Sequence, residues 1–92
     1  AYVAGGGGIV GIHSASATAK EPRRWLWWEE LVGSVFLSHP PRQTGLIEVV
    51  DRAFPACLHL DEKWIWTDEW YTFATPFPED LNVVLEVDEE SY

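Results

Sequence analysis

The chain has little positive charge, almost no sulfur and no long apolar run. Six Lys and Arg stand against fifteen Asp and Glu, a net charge of −9, and beyond Lys63 every charged residue is acidic. Such a surface repels a phosphate backbone, so no nucleic-acid partner is expected. A single cysteine, Cys57, excludes an internal disulfide. No apolar stretch approaches the roughly 18 residues of a membrane helix, so no membrane insertion is expected. Methionine is absent altogether, position 1 included. No repeat of fixed period is visible.

What the chain does have is aromatic: six Trp, four Phe and three Tyr among 92 residues. That is the composition of a packed domain rather than a disordered segment. A chain this short makes one small domain and buries a modest share of its surface. Its first residues, Ala1 to Ala4, run into Gly5–Gly8 as the last turn of a helix runs into its glycine cap. Its end follows directly on a strand-like run. The expectation is therefore a central piece of a larger domain, with exposed apolar edges that favour self-association.

Ile9 to Ile12, bounded by glycines, reads as a buried parallel strand. Pro22 fits a first helical turn, and Trp25, Trp28, Leu31, Val32 and Val35 recur at helical spacing, predicting a helix over roughly 23–36. Gly33 falls inside that span at a cost of about 1 kcal/mol relative to Ala. His39-Pro40-Pro41 is held extended. Gln43 to Asp51 is β-branched and partly alternating, Lys63 to Phe73 is an aromatic extended segment, and Asn82 to Val87 is a further strand. A turn at Phe54-Pro55 carries Cys57, with His59 in or beside it. The order β-α-β-(β)-β predicts an α/β domain with a mixed sheet.

Three groups of residues carry chemistry. His13 closes the first apolar run within Gly11-Ile12-His13-Ser14-Ala15, where ligands of open α/β sheets gather. Small neighbours let a sharp strand-to-helix turn present that one side chain to solvent. Imidazole there serves as acid, base or metal ligand, and the plainer reading is a loop histidine bonded to backbone. The second group is Thr67-Asp68-Glu69-Trp70-Tyr71, with carboxylates for sugar hydroxyls and aromatic faces for pyranose rings. In a strand Asp68 and Glu69 point to opposite faces, so one of them enters a given pocket, and Glu69 is favoured. The plainer reading makes Trp64, Trp66 and Trp70 core and the acids a solvated edge. Third, His39 with His13 and a carboxylate would suit a divalent metal, though their spacing is no known metal signature. Gly5–Gly8 lacks the Lys-Ser/Thr of a phosphate loop.

Blocks of the chain also follow a known pattern. Ala4 through Ala15, the helix Trp27-Trp28-Glu29-Glu30-Leu31-Val32-Gly33, Phe36-Leu37-Ser38-His39-Pro40 with Gln43, and Val49-Val50-Asp51-Arg52 with Pro55 stand in order. Trp64, Thr67 to Tyr71 with Phe73, and Leu85 with Asp88-Glu89 and Ser91-Tyr92 complete the series. In these blocks the chain resembles the ThuA-like (trehalose-utilisation) family. The resemblance implies a class I glutamine amidotransferase-like, flavodoxin-like α/β sheet with flanking helices. Family domains are about twice this length, so it also implies that the N-terminal strands and C-terminal part lie outside residues 1–92. His13 occupies the place of the amidotransferase cysteine, so glutamine amidotransfer is disfavoured. Phe54 stands where the family has His, Cys57 where it has Thr or Ser, and Arg23-Arg24 with Trp25 make the helix start unusually basic.

The resulting expectation is a carbohydrate-active enzyme acting on trehalose or an oxidised (keto) disaccharide. His13, Glu69 and Asp68 would be catalytic, with Ser14, His39, Trp70 and Tyr71 lining the pocket and a divalent metal left open at His13 and His39. The rival is a carbohydrate-binding or interaction module without catalysis, because fold alone does not fix function.

Overall fold

A computed structural model describes residues 1–17 and 24–92. The predicted helix start at Pro22 and Arg23 lies outside the described residues. The helix itself, α1, covers Leu26–Val32. Gly33 ends it in a left-handed conformation, φ 79°, with its N–H bonded to the Glu29 carbonyl. Gly33 is therefore a C-cap that only a residue without a Cβ adopts easily, not a mid-helix defect. This shortens the predicted span: Val35 and Phe36 leave the helix, and Phe36–Ser38 forms strand β1. At the other end of α1 the Arg24 side chain holds Glu29 (Nε to Oε1 2.8 Å), which lowers the Glu29 pKa.

The strands β2 (Gln43–Val49), β3 (Lys63–Asp68), β4 (Thr72–Phe73) and β5 (Leu85–Asp88) follow. They make two antiparallel sheets, β3-β2-β5 and the small pair β1-β4. Every strand pairing among the described residues is antiparallel. The chain is thus α/β in content, but the parallel neighbours expected for its first strand are not among these pairings. In the larger sheet Thr44 lies opposite Thr67, with their hydroxyls 2.6 Å apart, and Leu46 lies opposite Ile65. On the other face Gly45 lies opposite Trp66 and Ile47 opposite Trp64. A Cβ on Gly45 would stand 3.0 Å from Val87 and 3.1 Å from the Trp70 ring, so the missing side chain is what lets Trp70 pack against β2.

One expectation fails in the N-terminal third, the buried parallel strand. Ile9 to Ile12 forms no strand, and Ile9, Val10 and Ile12 are 50%, 86% and 80% exposed. A parallel strand needs a hydrogen-bonded neighbour and cover on both faces, and the described residues supply neither. The glycine tract behaves as a cap-like turn: Gly5, Gly6 and Gly7 donate to the carbonyls of Ala1, Val3 and Tyr2, with Gly6 at φ 92°.

Burial is correspondingly slight. Among the described residues only Gly45 and Cys57 are buried. Cys57 is a free thiol in a short 3-10 turn, Pro55–Cys57, between β2 and β3. His59 follows in an exposed turn, as expected.

Candidate functional site

Three distant segments meet at Tyr71. His13 opens the 3-10 turn His13–Ala17 and is held at φ 47°. A non-glycine residue seldom adopts that left-handed conformation, and it turns the imidazole out at the tip of the bend. The Trp28 indole pins this turn to α1 by donating to the Ala15 carbonyl at 3.0 Å. His39 comes from the extended link after β1. Asp68 is the last residue of β3, and Glu69 to Tyr71 carry the chain from the larger sheet to β4 in the smaller one. The Tyr71 ring sits among Phe36 (4.7 Å between centroids), His13 (5.4 Å, edge-on) and His39 (5.5 Å, stacked).

The polar geometry is a connected chain. His13 Nε2 lies 3.4 Å from Asp68 Oδ1 and 3.9 Å from Glu69 Oε2. His13 Nδ1 faces the Tyr71 hydroxyl at 3.3 Å, and that hydroxyl also reaches Glu69 Oε2 at 3.5 Å. His39 Nε2 stands 3.9 Å from the same Glu69 oxygen, while its Nδ1 donates to the Pro40 carbonyl at 2.8 Å.

Asp68 is fixed more firmly than any other member of the cluster. Its pKa is lowered, first by the Glu69 backbone N–H (2.9 Å to Oδ1), then by the Trp66 indole N–H (3.3 Å to Oδ2) and by His13. The Tyr71 pKa is raised, first by desolvation and then by Glu69 and Asp68, which keeps the phenol protonated. An ionised carboxylate only accepts hydrogen bonds, so His13 carries its proton on Nε2 toward Asp68. Its lone pair is then on Nδ1, and the single phenol proton of Tyr71 goes either to that nitrogen or to Glu69 Oε2.

The expectation that only one of the two acids enters the pocket is thereby corrected. Strand β3 ends at Asp68, so the alternation of faces no longer governs Glu69, and both carboxylates come within 4 Å of His13. Asp68 rather than Glu69 is the nearer partner. Ser14 occupies the next position of the same turn and is exposed. Trp70 points elsewhere: it packs on Gly45 and lies 6.0 Å from the Tyr92 ring, with its Nε1 buried and unpartnered. Its aromatic place beside the acids is taken by Trp66, which the sequence reading left among core candidates. The signal was the i, i+2 spacing of Trp66 and Asp68, which puts both on one strand face. Phe36, the floor under Tyr71 and His39, carried no chemical signal in the sequence.

His13 also borders a hollow of about 250 Å³ between the N-terminal segment and α1, lined by Ile9, Gly11, Trp28 and Leu31. Among the described residues no group of three or more His, Cys, Asp and Glu is arranged to hold a metal ion. With Nδ1 of His39 committed to backbone and both Nε2 atoms 3.9 Å from Glu69, the pair His13–His39 makes contacts of carboxylate–imidazole type.

A histidine at a left-handed turn position, backed by an ionised aspartate, is a candidate acid–base group on a mixed α/β scaffold. The trehalose-utilisation (ThuA) family model matches residues 1–92, and the chain belongs to that family. In structure it is similar to a ThuA-like protein from Bacteroides uniformis, at 30% sequence identity and a TM-score of 0.79 over 94% of this chain. The chain spans 37% of the length of that protein. No curated protein matches it.

Proposed function

We propose that this is a sugar-processing enzyme domain, working on trehalose or an oxidised (keto) disaccharide by proton transfer at His13. The observation that carries the reading is the convergence of His13, Asp68, Glu69, Tyr71 and His39 in one connected polar cluster. In this reading Asp68 holds the imidazole tautomer and stabilises the imidazolium, as the buried aspartate does in a catalytic triad. His13 Nδ1 takes a proton from a sugar hydroxyl. The Tyr71 hydroxyl, poised between Nδ1 and Glu69, positions the sugar oxygen by hydrogen bonding, and the proton stays on the imidazolium that Asp68 stabilises. The contacts of 3.3–3.4 Å around His13 are long for hydrogen bonds, as catalytic contacts often are without substrate, and shorten in this reading when a substrate is bound.

The family description supports sugar metabolism, and the absence of a cysteine at the His13 turn argues against glutamine amidotransfer. The finer fold assignment, an amidotransferase-like sheet, belongs to the same proposal. In the full-length protein His13→Ala is expected to lower turnover of such a disaccharide by about 10²–10⁴-fold, the usual contribution of a positioned acid or base. Turnover equal to that of the wild type would sink the catalytic reading and leave sugar binding without chemistry.

A further inference from the structure

We infer that Trp66 is the stacking platform for one pyranose ring of the substrate, and that Asp68 joins this platform to the acid–base pair. The inference rests on the sugar-processing reading and adds to it a binding residue and a direction of approach. Three observations support it. The Trp66 side chain is exposed (56% for the residue), whereas Trp64 and Trp70 are half-buried on the same sheet. Strand β3 is an edge of the β3-β2-β5 sheet among the described residues, which leaves the indole's outer flank unpaired. Finally, the ring is tethered: its N–H donates to Asp68 Oδ2 at 3.3 Å, while Oδ1 of the same carboxylate faces His13 Nε2 at 3.4 Å.

A flat, oriented aromatic face with a carboxylate at its rim matches the chemistry of a pyranose. The axial C–H groups of the sugar meet the electron-rich face of the indole, and its equatorial hydroxyls point outward to acceptors. Asp68 is such an acceptor. A ring stacked on Trp66 directs its edge past Asp68 toward His13, so the glycosidic oxygen or the second ring of a disaccharide arrives at the imidazole. The indole N–H on Asp68 also means that the platform and the proton-transfer pair move together.

The test is equilibrium binding of trehalose and of glucose to the full-length protein, by calorimetry and by saturation-transfer NMR. The comparison includes Trp66→Ala, Trp66→Leu and Trp66→Phe, with folding checked by circular dichroism. Trp66→Leu keeps apolar bulk without a ring and serves if the alanine variant folds poorly. The expected result is about tenfold weaker trehalose binding for Ala and Leu, near-native binding for Phe, and strongest saturation transfer to axial C–H protons of one ring. Glucose, which lacks the second unit, is expected to discriminate less among the variants. Unchanged trehalose affinity in Trp66→Ala and Trp66→Leu, as when another part of the protein covers the indole, overturns the inference. So does a Phe variant as weak as Leu. These outcomes are separate from the fate of His13→Ala. Lost turnover there with unaltered Trp66 variants removes the platform alone, and weak Trp66 variants with unaltered His13→Ala turnover remove the catalysis alone.

Discussion

The β2–β3–β5 sheet and the N-terminal segment are equally apolar in sequence, yet only the sheet satisfies its own backbone. Strands β2 and β3 are joined by the segment 50–62, which carries the 3-10 turn Pro55–Cys57, and pair in antiparallel register over six residue pairs, from Gln43–Asp68 to Glu48–Lys63. An antiparallel pair is closed by its own connection. The run Ile9 to Ile12 is no less β-prone, but a parallel strand depends on partners distant in sequence. The same composition thus makes a strand where the partner is local and an exposed loop where it is not. The site straddles this divide, with His13 on the loosely packed side and Asp68 anchored at the end of the sheet.

The largest expected effect on that comparison comes from Gly45→Leu. A side chain there meets Val87 and Trp70 at contact distance, so overpacking is expected to cost about 1–3 kcal/mol, read as a lowered denaturation midpoint. A midpoint equal to the wild type would show that Trp70 does not pack on Gly45 in solution. Next is Thr67→Ala, which removes one hydroxyl of the Thr44–Thr67 cross-strand pair. A loss of about 0.2–1 kcal/mol is expected, and no loss would place the two strands out of this register.

A titration sharpens the comparison at the site itself. The Asp68 pKa is lowered in the folded chain, so its contribution to stability is complete above the unfolded value and is lost as pH falls through the folded one. Trp66→Phe removes an N–H donor, so the carboxyl titration of Asp68 followed by NMR is expected to move up in pH. An unmoved titration would mean that the indole N–H does not reach Asp68. The smallest effect is expected from Ile12→Ser. Exposed as it is, this residue is expected to change the stability of the 92-residue chain by no more than about 0.5 kcal/mol. A large loss would show the N-terminal segment to be packed after all.

Much of the middle of the fold was legible in the residues. The β2 strand lies within the predicted Gln43–Asp51, the β5 strand at the end of Asn82–Val87 with one residue beyond, and His39 in the extended link that Pro40 and Pro41 impose. The Lys63–Phe73 segment was legible as extended but not as two strands in different sheets, because the break at Glu69–Tyr71 carries neither Gly nor Pro. The helix was misjudged at Gly33, where periodicity continued past a residue whose left-handed backbone stops it. In the site, His13, Asp68, Glu69, His39 and Tyr71 were all identifiable by chemical type. Trp70 was not separable from Trp66 by type, since alternation alone does not say which indole finds a glycine to lie on.

Sequence by itself determined the kinds of groups available: an imidazole at a tight bend, two adjacent acids, aromatic rings and an acidic surface. It also marked most of the strand segments, whereas their antiparallel pairing was a finding of the structure. Tertiary structure alone decided that Asp68 rather than Glu69 is the nearest acid to His13, that Tyr71 lies between the two histidines, and that Trp66 rather than Trp70 stays exposed. Those choices depend on ångström-scale distances between segments separated by up to 58 positions, set by how two sheets and a helix meet. Local propensity carries no information at that range.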